Sequence, residues 1–223
     1  MCFLISSLTT ALCAAACAQG LDLDRARSVQ FSMPGWTEEK PQEGLRVWRN
    51  ADGDVLSMGA SSDPLTDLDW SSETQVRQFA RQLAEAAGGG LIEAAAVAPP
   101  PRAIVRLIYK RRIGPGYIYT GMLVMTGGSV PMVWTVVAGE RGTTGVREAI
   151  ITAEMMSAGE LTSESYKRHW AQDPYDPAYQ GVDRSVLRFL SDDERYDARF
   201  PQHPLSKVRR ALAGIPAGVT GLQ

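Results

Sequence analysis

Cysteine is missing from most of this 223-residue chain: Cys2, Cys13 and Cys17 are the only three. A chain without its first 17 residues has no thiol, which excludes a cysteine nucleophile, an internal disulfide, an iron–sulfur site and a cysteine-built zinc site. Histidine is almost as scarce, with only His169 and His203. No run of about 18 strongly apolar residues follows residue 21, so that region carries no pattern of a membrane-spanning helix. An excess of one charge is also lacking. The 23 Lys and Arg against 25 Asp and Glu leave a net −2, which argues against a dedicated nucleic-acid binder. Catalytic signatures are missing too. Gly139, Gly142 and Gly145 imitate a phosphate loop, but no Lys-Ser or Lys-Thr follows, so they read as a strand-to-helix turn capped by Thr143 or Thr144. Ser129 in GGSVP lacks the second glycine of a nucleophile elbow, and no Asp-rich calcium loop is present. No cofactor is implied.

What is present is the composition of a globular protein, 44% hydrophobic and 22% charged, with room for one ordinary domain and a sizeable tail. Residues 1–21 join an apolar stretch to Ala16-Cys17-Ala18, the A-x-A pattern of a secretory signal cleaved after Ala18. The first basic residue is only Arg25, which departs from that pattern. Export is therefore favoured slightly over a cytoplasmic location.

From residue 28 to about 160, short apolar runs alternate with turn chemistry. SVQFSM, Leu45–Trp48 and Val55–Met58 predict a three-strand antiparallel meander, with Asp52-Gly53 making the tight hairpin. Ser71 or Ser72 caps a helix whose stripe is Val76, Phe79, Ala80, Leu83 and Ala87, and Gly88–Gly90 end it. Four strands are expected at about 91–98, 103–113, 117–126 and 131–138. A second helix over 144–158 carries Val146, Ala149, Ile150, Ala153 and Met156 as its buried stripe. Residues 161–223 hold Tyr166, Trp170, Tyr175, Tyr179, Phe189, Tyr196 and Phe200. They are too aromatic for a disordered tail, and predict an ordered extension packed on the domain. It includes a short helix from Pro204, with Leu205, Val208 and Leu212 buried. The fold class is α+β, an antiparallel sheet of six or seven strands packed with helices.

This element order resembles the PsbP-like α/β/α sandwich of photosystem extrinsic proteins, bacterial lipoproteins and Eag-type secretion chaperones. The residues that carry the likeness are MPGW (33–36), GGGLIE (88–93), IYKRRIGPGYIYTG (108–121), GERGTTGVREA (139–149), DPYDPAY (173–179) and DDERYDARFPQHPLSKVRRAL (192–212). The resemblance implies a bacterial binding or accessory protein rather than an enzyme, and carries no functional residue over one by one.

Arg102, Arg106, Lys110 and Arg112 share one parity of the strand over 102–112, so period two aligns four cations on one face. They are the candidate contacts for a protein or peptide partner on the sheet face. The bland alternative pairs them internally with Asp192, Asp193, Glu194 and Asp197, Asp193 facing Arg106, which makes the chain a purely structural module. Met122, Met125, Met132, Met155 and Met156 suit either an adaptable groove or ordinary core. A further alternative, a hydrolase or metal-dependent enzyme, would use His169, Asp173 and Asp176. His203, before Pro204, sits at a helix entry.

Overall fold

The computed structural model describes residues 23–41, 45–61, 68–98, 103–126 and 131–220. The signal reading of residues 1–21 and the positions of Arg102 and Ser129 lie outside them. The chain runs α1 (Leu23–Ser28), β1 (Gln30–Phe31), β2 (Trp36–Glu38), β3 (Arg46–Asn50), β4 (Val55–Ala60), α2 (Glu73–Ala86), β5 (Gly90–Ala98), β6 (Ile104–Ile113), β7 (Gly116–Met125) and β8 (Met132–Gly139). It continues through α3 (Val146–Ser157), α4 (Ser163–His169), β9 (Ala171–Gln172), β10 (Arg188–Phe189), α5 (Pro204–Gly218) and β11 (Val219–Thr220), with 3₁₀ turns at Arg184–Val186, Leu190–Asp192 and Glu194–Tyr196.

Seven strands form one antiparallel sheet in the order β2-β3-β4-β8-β7-β6-β5, so the α+β class and the strand count agree with the sequence. The β3–β4 hairpin closes where Asp52-Gly53 predicted it. Gly53 takes φ 74°, a left-handed conformation that glycine adopts without a Cβ clash. Ser72 caps α2 by accepting the Gln75 N–H.

Alternation along the central strands divides their side chains between two cores, as a strand covered on both faces requires. On one face, Val76, Ala80, Leu83 and Ala84 of α2 pack on Leu91, Val105, Leu107, Met122 and Val124. On the other, Leu205, Val208, Ala211, Leu212 and Ile215 of α5 pack on Leu56, Ile108, Tyr119, Leu123 and Trp134. Gly121 lets α5 lie close, because a Cβ there would overlap Val208 and Leu212. Met122 and Met132 are fully in these cores rather than in a groove.

Three expectations need correcting. The 28–33 segment does not join the large sheet: only Gln30 and Phe31 are strand, and they pair with Thr220 and Val219. The Phe31 ring sits 5.0 and 4.6 Å from those of Trp48 and Trp134, and the turn at Gly35 starts β2, which takes its place in the meander. The C-terminal helix is not short but 15 residues long, and it supplies a whole layer. Within that segment α5 is therefore one layer of the sandwich, and both sheet faces carry helices. Third, α3 faces the other way, as described below. No helix among the described residues is long and apolar enough to cross a membrane.

Candidate functional site

The basic strip divides. Lys110 is not on a surface at all: its side chain is 0% exposed, with Nζ 2.6 Å from Asp192 Oδ2 and 3.1 Å from the centre of the Phe189 ring. Burial pushes its ammonium pKa down, opposed by the negative charges of Asp192, Glu148 and Glu140. Arg106 pairs with Glu93 at 3.0 Å, not with Asp193, which faces Arg188. Arg112 is exposed and donates to Gly114 O. A sealed lysine thus separates the two cations that reach solvent, and no continuous cationic face exists among the described residues. The acidic run identified as its internal partner is what covers it.

Two more cations hold that run from other elements. Arg147 on α3 donates to Ser191 O at 2.7 Å, and to Asp197 Oδ1, Ser206 Oγ and Asp193 O at 2.9 Å each. Arg209 on α5 reaches Glu93, Asp197 and the Asp192 carbonyl. Residues 190–197 are thereby tied to β6, α3 and α5 together.

Residues His169, Asp173 and Asp176 form no cluster. His169 is exposed at the end of α4, against Gln172. The Asp173 carboxylate is filled by Arg81 at 2.9 and 3.1 Å and by the N–H groups of Tyr175 and Asp176. Asp176 closes its own turn on Ala178 N–H. The Asp-Pro pairs are turn chemistry.

The stripe expected to bury α3 points outward. Val146, Ala149, Ile150, Ala153 and Met156 are all exposed, Val146 by 44%, Met156 by 40% and Ile150 by 39%. The inward residues are Arg147, Ile151 and, partly, Glu148 and Met155. The helix turns this way because the Arg147 guanidinium finds four acceptors on that side, while burying it unpaired would be costly. Neither Thr143 nor Thr144 caps α3; its N-cap is Gly145, at φ 71° and without a side-chain bond. Glu140 replaces them, accepting the Gly145 N–H at 2.8 Å and the Tyr117 N–H at 2.9 Å.

That glutamate belongs to a cluster the sequence did not reveal. Ligand-type atoms of Glu140, Glu148 and His203 lie within 4.8 Å of one another, the one such group of three His, Cys, Asp or Glu found among the described residues. His203 Nε2 is 3.6 Å from Glu148 Oε1, with side chains 7% and 13% exposed. Nε2 and both Glu148 oxygens are buried without a hydrogen-bond partner. Burial works to raise the Glu148 carboxyl, but the facing His203 ring and the positive charge of Lys110 hold it below its usual value. As expected for a helix entry, His203 is the N-cap of α5, its Nδ1 accepting the Leu205 N–H at 3.3 Å. Glu140 and His203 also line a surface cavity of about 390 Å³ with Arg141, Thr143 and Lys207. Glu140 and Glu148 are eight positions apart and Glu148 and His203 are 55 positions apart, so no short motif marks the group.

No protein-family model matches this chain, and no curated protein matches it.

Proposed function

We propose that the chain is a non-enzymatic binding or accessory protein of PsbP-like architecture, whose protein or peptide partner docks on the outer face of α3. One observation carries the reading: five apolar side chains at 146, 149, 150, 153 and 156 make a continuous exposed stripe on a helix whose inner face is already committed. Spacing of three and four is the signature of a helix that packs on another helix. Ala149 and Ala153 at its centre leave room for close approach, and Val146, Ile150 and Met156 supply the larger apolar contacts. The occupant that fits is an apolar helix face of another protein. This moves the docking surface away from the sheet face, which helices cover, and away from Arg106, Lys110 and Arg112.

A photo-crosslinking residue at Ile150 in the natively expressed chain is expected to trap one discrete partner, and the same residue at the exposed Ile113 is not. Ile150→Glu with Met156→Glu should leave the folded chain intact and abolish that adduct. An identical adduct from both positions, or capture unaffected by the double substitution, would remove α3 as the site.

The structural-module reading has its own support, for the strip alone. Lys110 and Arg106 have internal partners in Asp192 and Glu93, which accounts for their charges without any ligand.

A further inference from the structure

We propose that Glu140, Glu148 and His203 form a divalent-cation site of the zinc class. Three features point to it, and none depends on the outer face of α3.

The first is unsatisfied polarity. Both Glu148 oxygens and His203 Nε2 are buried and have no hydrogen-bond partner, a state that buried polar groups avoid unless something else occupies the space between them. The second is charge. Two carboxylates meet here, and the surrounding cations are committed elsewhere: Lys110 to Asp192, Lys207 to Asp52 and Asp54, and Arg147 to Asp197 and two carbonyls. A doubly charged ion balances Glu140 and Glu148. The third is spacing. Donors at about 2.0–2.2 Å from a tetrahedral zinc lie about 3.3–3.6 Å apart. The 3.6 Å between Nε2 and Glu148 Oε1 needs almost no adjustment, and 4.8 Å bounds the whole set. One nitrogen with carboxylate oxygens suits zinc, whereas calcium and magnesium favour all-oxygen shells.

The scaffold is already built. Glu140 is held by the Tyr117 and Gly145 N–H groups, each of its oxygens retaining capacity for a metal. His203 is held against Tyr119, ring centres 5.2 Å apart. Because Leu205 N–H donates to Nδ1, the imidazole proton resides on Nε2 in the metal-free chain. Coordination through Nε2 needs the lone pair of that nitrogen, so its proton leaves and the long 3.3 Å capping bond to Nδ1 is given up when the proton moves there. Three protein donors leave a fourth position open, beside the cavity shared with Arg141, Thr143 and Lys207.

The test is a zinc titration of the untagged full chain carrying Cys2→Ser, Cys13→Ser and Cys17→Ser, so that no thiolate competes. Calorimetry is expected to show one equivalent of Zn²⁺ bound. His203→Asn should weaken binding at least tenfold while keeping a good N-cap residue, and Glu148→Gln should do the same. His169→Gln, at the exposed histidine, should change nothing. Near-UV circular dichroism reports whether each variant is folded, and His203→Asn decides if Glu148→Gln is not. No saturable zinc uptake by the parent chain would overturn the proposal, and so would unchanged affinity in folded His203→Asn.

Discussion

The two faces of the sheet are covered by different physics. Under α2, Val76, Ala80, Leu83 and Ala84 meet Leu91, Leu107 and Val124 in an apolar layer. Hydrophobic burial of this kind is non-directional and tolerates substitutions of similar volume. On the opposite face the α5 core is apolar over β4, β8 and β7, but towards β6 and β5 it gives way to Lys110–Asp192, Arg147–Asp197 and Arg209–Glu93. Buried ion pairs add little net stability over well-packed apolar groups, yet removing one partner strands the other. The first face is forgiving; the second is brittle and holds residues 190–197 in one arrangement.

The largest expected effect breaks that second face. Lys110→Met leaves the buried Asp192 carboxylate with only the Phe189 N–H and should cost about 3–5 kcal/mol in urea unfolding. Adding Asp192→Asn removes the stranded charge, keeps an acceptor for Phe189 and should recover at least half of the loss. No recovery would mean that the pair is not the source of the brittleness. Leu83→Ala under α2 falls within about 2–5 kcal/mol, and no second substitution is expected to rescue it.

A smaller effect concerns the sheet edge. The Tyr175 hydroxyl accepts the Ala94 N–H at 2.7 Å and donates to Ala94 O at 2.8 Å, so it caps both backbone groups of edge strand β5. Tyr175→Phe should cost about 1–2 kcal/mol. It should also raise light scattering on heating, since an uncapped edge invites strand pairing. Equal midpoints and equal scattering would show that the edge is protected by other means.

The smallest effect is a pH dependence. Burial and the neighbouring Glu85 carboxylate push the Tyr179 phenol well above its usual 10. The unfolded phenol ionises near 10 while the folded one stays protonated. The stability it contributes is therefore complete below pH 10 and is lost progressively as pH rises above it. Tyr179→Phe should flatten the alkaline arm of the midpoint-against-pH curve and lower its neutral region, where the hydrogen bond to Glu85 is intact.

How far the sequence could be read depends on what each residue answers to. The four strands from 90 to 139 were legible because alternation and Gly or Pro turns are local signals, and Ser72 and Gly88 marked the ends of α2 in the same way. SVQFSM alternates as well as any of them, yet only Gln30 and Phe31 became strand, because Phe31 is drawn between two tryptophans that come from β3 and β8. On α3 the stripe 146–149–150–153–156 is as regular as the one on α2. Its direction was decided by Arg147, a residue whose acceptors lie 44 to 59 positions away. Arg106, Lys110 and Arg112 share one parity of β6, but Lys110 is sealed against Asp192 and Arg106 pairs with Glu93, so that parity makes no cationic face.

The sequence by itself determined the main strands and helices between 45 and 158, the antiparallel class, the thiol-free domain and the absence of a strong charge bias, since each follows from composition or from periods of two and 3.6 residues. Only the tertiary structure decided that Lys110 is sealed, that the apolar side of α3 faces out, and that Glu140, Glu148 and His203 converge. Those outcomes turn on long-range pairing of charged groups, whose energy depends on distance and burial, and neither quantity is written in the order of residues along a chain.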